Sequence, residues 1–386
     1  MACLKPATGT NTVLYYVKEV DCGVTPDNPV WTPLRFTGSI PKLTRESFVS
    51  AELDGTRENN GFRLGQKGVS GDVNVELSYG SHDDLIAGSM QSSWTSGATD
   101  AAVEITVDEV AKTFTRSAGD YTVVFAVGDL VKFPSLAEEN QGGFYITALT
   151  ATVMTCSGAK DLVAEAAVTT DITQGDKLIV GNTVESFSLL VHYTDLNSGA
   201  GGYDIIRGNE VSAKSFNIAV NAIVSGSFSL IGKSYSADAS LPAGSTFDPI
   251  DTTRPYSSFD GHIMQEGLPL GFVTSISPSS DNSAEAVYSI GSDFASHISF
   301  GKMNNTFSLE SFFFDYDKFN KFADGTKSSL SFTLRLDGKT LGVSYPEFYY
   351  TEGGPDVAGP GDISENLTGQ AVRETGVSSI IFQRVE

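Results

Sequence analysis

The chain has 386 residues, 40% hydrophobic and 10% aromatic, with 25 basic against 47 acidic side chains for a formal charge of -22. That length supports two or three domains with cores of their own, and the acids are spread along the chain rather than gathered in a disordered tail. Such a balance excludes a surface that draws in nucleic acid or anionic membranes, yet it suits a wall beside DNA to which DNA must not stick.

From the amino terminus, "MACLKPATGTNTVLYYVKEV" lacks a basic stretch followed by an apolar one, and nowhere do about 18 apolar residues run together. The expectation is a soluble chain that is not exported by a signal peptide. Cys3, Cys22 and Cys156 are odd in number and fit no disulfide or zinc spacing, so they are read as reduced thiols of a protein made in the cytoplasm. In "DVNVELSY" Val73, Val75 and Leu77 alternate with Asp72, Asn74 and Glu76, as a half-buried strand requires. A helix is expected in "SHDDLIAGSMQ", whose acids suit the positive end of the helix. Residues 96–179 then read as an acid-rich β insertion, with "YTVVFAVGDLVKFPS" and "NQGGFYITALTATVMTCSG" as its strand-rich stretches. Strands follow in "SFSLLVHY" (186–193), "SFNIAV" (215–220) and "SGSFSLIG" (225–232). The last part repeats the sequence of elements: strand "NTFSLESF" (305–312), helix "DYDKFNKFADG" with Gly325 as its cap, and strand "SLSFTLRL" (329–336).

The repetition is literal. An ungapped comparison of 33–65 with 269–301 pairs Pro33 with Pro269, Leu34 with Leu270, Phe36 with Phe272, Ser39 with Ser275, Ile40 with Ile276, Ser47 with Ser283, Gly55 with Gly291 and Gly65 with Gly301. One β-rich unit is present twice in tandem. The copies differ chiefly at 96–179, which stands where the second copy has only a turn. An insertion of this kind survives at an exposed loop tip, so that loop is expected to face outward.

Motifs of chemistry are absent. His82, His192, His262 and His297 fit no metal-ligand spacing. The D-x-D that opens "DYDKFNKFADG" places Phe319 and Asn320 where a calcium loop needs a ligand and a glycine, so it reads as an acid-capped helix. "NSGAGG" (197–202) lacks the G-K-[ST] ending of a phosphate loop and reads as a flexible loop. No nucleophile elbow or Cys, His and acid set is suggested, and paired carboxylates read as solvated acids.

"RESFVSAEL" followed by "NNGFRLGQKGVSGDVNVELSYGSHDDLIAGSMQSSW" resembles the amino-terminal signature of the tail tube proteins of long, non-contractile-tailed bacteriophages. "VGDLVKF", "NQGGFYITALTATVMTCSG", "RGNEVSAKSFNIAVNAIVSGSFSLIGKS" and "LPLGFVTSIS" through "SFFFDYDKFNKFADGTKSSLSFTL" continue the likeness, in order, over residues 30–386. The resemblance and the pattern together imply a mainly β fold: tandem tail-tube sandwich or barrel units, each with a short helix, plus an inserted small β domain. The expected division is an amino-terminal arm at 1–30, a first unit at 31–95 and 180–255, the insertion at 96–179 and a second unit at 256–386.

By resemblance, a single-unit subunit makes six-fold rings, so a duplicated chain would close a pseudo-six-fold ring with three copies. The implied role is a non-enzymatic virion protein without cofactors, assembled in the host cytoplasm. Its implied partners are itself, the tape measure protein and genomic DNA in the lumen, and the tail terminator and tail-tip proteins, with no membrane. Because Val73, Val75 and Leu77 must be buried, the opposite strand face is expected to help line the lumen through Asp72 and Glu76, and Glu310 in the second copy. The alternative is a tail-tip, fibre or decoration protein that binds host glycan in aromatic-lined grooves.

Overall fold

Period-two alternation becomes strand after strand. The computed structural model describes residues 6–386 except 54, 56, 60, 158–161, 197–200 and 358, so Cys3 and most of the "NSGAGG" loop lie outside the described residues. The fold is mainly β, with three α-helices among the described residues, Asp83–Met90, Glu138–Gln141 and Asp317–Ala323. Cys22 is exposed and Cys156 buried, and neither is bridged.

One antiparallel sheet runs through both copies. Its first four strands are Lys42–Val49, Phe62–Glu76, Ser225–Gly232 and the second half of Gly202–Ala219. The next four are Val273–Asp281, Asn304–Phe312, Ser364–Ala371 and the end of Lys339–Glu352. Within each copy the spatial order is the same, a hairpin, then the last strand, then the long third strand. The copies join edge to edge where Gly202–Ala219 pairs with Val273–Asp281, from Ala213 opposite Asp281 to Ala219 opposite Ser275. Gly55 and Gly291, matched in sequence and each within a hairpin connection, both take the left-handed conformation at φ 80° and 89°.

On one face of this sheet Val73, Val75, Phe216, Phe228, Leu230, Ile276, Phe307, Leu309 and Leu367 belong to a single core cluster. A second layer covers them. In the first copy it comprises Val30–Pro33, Thr12–Lys18, Phe187–Tyr193, the first half of Gly202–Ala219, and Ser234–Ser236. In the second it comprises Gly261–Gln265, Ser328–Leu336, the first half of Lys339–Glu352, Ile381–Val385 and Asp176–Ile179. The long strands therefore serve both layers. Gly202–Ala219 manages this with a register shift between Val211 and Ala213 and with Gly208 at φ 67°, where a Cβ would sit 2.9 Å from Lys233.

Helix Asp83–Met90 buries Leu85, Ile86, Ala87 and Met90 against this core and ends at Gln91 in the left-handed conformation. Helix Asp317–Ala323 begins where the Asp315 carboxylate accepts from Asp317 N–H at 2.9 Å, and Gly325 at φ 61° follows its end. Its Lys318 lies 2.5 Å from Glu365 on the strand Ser364–Ala371, and both side chains are buried.

Between the first helix and Asp176, six strands close into a barrel: Glu165–Gln174, Thr99–Asp108, Thr113–Arg116, Val153–Ser157, Phe144–Leu149 and Leu130–Lys132. It has a core of its own in which Phe114 and Phe133 stack at 4.2 Å. The barrel packs on the second layer of the second copy. Leu130 and Tyr145 pack with Met264 and Val385, while the Gln383 amide accepts from Leu130 N–H and donates to Gly128 C=O, each at 2.8 Å.

Candidate functional site

The face of the continuous sheet turned away from the core is built by alternation and is largely polar, with Ile231 and Phe312 as apolar members and Phe62 and Leu64 at the far end of Phe62–Glu76. Reading across it, Asp72, Asn74 and Glu76 lie beside Ser229, Ser227 and Ser225. Ser215 and Asn217 come next, then Ser275, Ser277 and Ser279, then Thr306, Ser308 and Glu310, then Asn366, Thr368 and Gln370. Its charged members include Asp72, Glu76, Asp281 and Glu310, with Glu352 opposite Thr368, while Lys42 stands opposite Ser70 on the neighbouring strand. Short hydroxyl and amide side chains tie neighbouring strands together. Ser229 Oγ donates to Asp72 Oδ1 at 2.6 Å, Ser277 Oγ to Asn217 Oδ1 at 3.2 Å and Ser275 Oγ to Glu310 Oε2 at 3.4 Å.

Asp72 and Glu310 are exposed and Glu76 is half-buried. All three stand on this one face, with Asp72 and Glu310 four strand steps apart, about 19 Å across the strands, and offset by six residues, about 20 Å, along them. Sequence reasoning missed Asp281 and, more important, the serines between the acids. Their signal was the period-two run of Ser225, Ser227 and Ser229, repeated in Ser275, Ser277 and Ser279. Small hydroxylated side chains hold a hydrated film and expose no apolar area, and the acids give that film one sign of charge.

The structure brings the histidines to separate places. His82 is buried with Nε2 3.0 Å from Arg35 O, and burial lowers its pKa to about 4, so it is neutral near pH 7. His192 stacks on Tyr203 at 4.5 Å, and His297 lies on the small strand pair of Glu285–Val287 with His297–Ser299. No group of three or more His, Cys, Asp or Glu able to hold a metal ion occurs among the described residues. No helix among them is long and apolar enough to cross a membrane.

What the arrangement offers is therefore a broad hydrated surface on a repeated sheet, with helices and barrel confined to the layers behind it. No curated protein matches the sequence. The family described as Phage tail tube protein matches residues 9–371, nearly the whole chain and both copies of the repeated pattern. With that match over a duplicated sheet of the kind the sequence motifs imply, the chain belongs to the phage tail tube protein family, whose members are structural components of the virion tail.

Proposed function

We propose that this chain is the major tail tube subunit, polymerising into stacked rings of three copies that form the conduit for phage DNA. The observation that carries this reading is the join inside the chain. The row Glu76, Ser225, Asn217 across the first copy is answered by Phe312, Ser364, Asp356 across the second. Asn217 goes on to meet Ser277 of the next copy within the chain, whereas the outer edge at Pro355–Asp356 has no strand beside it among the described residues. Subtracting the repeat offset of 236 from 277 gives 41, the residue before Lys42–Val49, which is itself paired on one side only. Repeating the internal join between chains therefore sets Asp356 opposite Pro41 of the next copy, with Lys42 the next residue along, an edge-to-edge pairing that brings opposite charges near each other. An unpaired edge at each end of a sheet is the liability that ring closure removes.

Six equivalent wall positions need three duplicated chains. Rings stacked head to tail make a heterologous contact that does not close, and so a filament. The helices and the inserted barrel stand behind the sheet, which leaves the serine-rich face as the lumen. A duplex carries one phosphate charge per about 1.7 Å of its axis; a basic lining would hold it, and this one repels it. The tape measure protein before ejection, and the terminator and tip proteins at the ends, are the partners this role requires, with assembly in the host cytoplasm. Negative-stain microscopy of the concentrated purified protein tests the reading: hollow filaments support it, and a discrete small oligomer that binds glycan supports a tail-tip or decoration role instead.

A further inference from the structure

Within one chain, the connection between Val273–Asp281 and Asn304–Phe312 is seated on the first copy. Asn282 Nδ2 donates to Ser89 O at 2.8 Å and to Val211 O at 3.2 Å, at the end of the first helix and the long strand beneath it. Further along, Tyr288 Oη donates to Lys67 O at 3.3 Å. Lys67 in turn pairs with Asp293 at 3.0 Å and lies over the Phe294 ring at 5.0 Å.

The equivalent hairpin of the first copy has no preceding copy in its own chain to rest on. All eight residues of Lys42–Val49 are exposed, and with Phe62 and Leu64 of the partner strand they present Phe48 and Val49 to solvent. The second copy shows the complementary vacancy. Helix Asp83–Met90 has every residue from Leu85 to Met90 buried, whereas helix Asp317–Ala323 buries only Lys318. Around it Phe314 and Tyr316 are exposed, and Phe313, Tyr316, Phe319 and Phe322 form a run of edge contacts at 5.1, 6.3 and 6.2 Å.

An isolated protein seldom leaves so many large apolar side chains open to water; on the hairpin Val49, Phe62 and Leu64 share one face and Phe48 lies on the other. Here each patch lacks the neighbour that its counterpart in the same chain possesses. We propose that the hairpin of Lys42–Val49 and Phe62–Leu64 seats on the aromatic face around Asp317–Ala323 of a second copy of this chain. It takes there the relation that Asn282–Phe294 holds to Asp83–Met90 and Lys67 within one chain. The net charges agree in sign: the hairpin strands carry Lys42, Arg45 and Arg63 against Glu46, and residues 315–324 carry Asp315, Asp317 and Asp324 against Lys318 and Lys321. Because the patches differ, the contact is heterologous and passes from chain to chain in one direction.

This inference rests on the ring reading, and its test separates the two. A photo-crosslinking benzoylphenylalanine replaces Phe62 in the full chain, and isotope-labelled and unlabelled protein are mixed so that interchain products are recognised by mass. Crosslinks from position 62 to residues 312–323 of a differently labelled copy are expected. Crosslinks confined to one chain, to other interchain positions, or absent overturn the proposal. The double variant Phe48→Asp, Phe62→Asp, on exposed positions, should melt like the parent while needing about tenfold or more protein to form sedimenting polymer. If the parent forms hollow filaments and this variant forms them at the same concentration, the seating is wrong and the tube stands. If the parent forms none, the ring reading fails as well.

Discussion

Ile218 and Ile276 lie opposite each other across the join between the two copies, 8% and 0% exposed. One core cluster contains both, so the two copies fold as a continuous body and not as two beads on a string. Truncation of Ile276 to alanine removes a fully enclosed side chain at the join and leaves a cavity, at a cost of about 2 to 5 kcal/mol. Denaturant unfolding should show that loss; a shift near zero would mean that the join is not packed as described.

Lys214, four residues before Ile218, is wholly buried, its ammonium 3.3 Å from Met90 Sδ and 5.1 Å from the centre of the Phe382 ring. Burial alone pushes its pKa down to about 7. With the folded value below the unfolded one, the unfolded chain binds more protons between about pH 7 and 10.5, so this group makes stability rise with pH across that window. Lys214→Met should raise the melting temperature at pH 7 and remove that part of the rise. An unchanged slope in the variant would show that Lys214 is solvated.

Lys318 and Glu365 fix the second helix to the wall, and Ser311 Oγ adds a hydrogen bond to the same carboxylate at 2.8 Å. Removing one member strands the other in the core, so Lys318→Met should destabilise by about 3 to 5 kcal/mol. The Lys318→Met, Glu365→Leu pair should recover much of that loss. Equal stability of single and double variants in thermal unfolding would contradict the coupling.

Asp72, Glu76 and Glu310 carry the proposal that the polar face is the lumen. Changing all three to lysine should leave tubes assembled but slow DNA ejection, more at low salt than at high, since phosphate attraction is screened as ionic strength rises. Normal ejection from intact triple-variant tails at low salt would place these residues elsewhere.

Strand positions were legible because alternation is local: "SGSFSLIG" is the strand Ser225–Gly232 residue for residue. The repeat was legible through Pro33 and Pro269, each the last residue of a strand, and through Gly55 and Gly291, each in the left-handed conformation that favours glycine. Long-range consequences were not. Nothing in "SFNIAV" announces that Ile218 meets Ile276, because pairing between strands is set by the whole sheet and not by a window of sequence. The capture of Asp176–Ile179 by Ile381–Val385 was hidden for the same reason, since both segments are short and only their register reveals the pairing. On the polar face, acids drew notice because they are charged. The serines beside them passed as ordinary strand surface until the registers laid Ser227 next to Ser215 and Ser215 next to Ser279.

The most direct test is a reconstruction of the assembled tube that counts chains per ring. Three copies are predicted, each joined to the next by Pro355–Asp356 of one chain lying along Lys42–Val49 of its neighbour, with Asp72, Asp281 and Glu310 facing the channel. Six copies per ring, or edges left unpaired within the ring, would contradict the account.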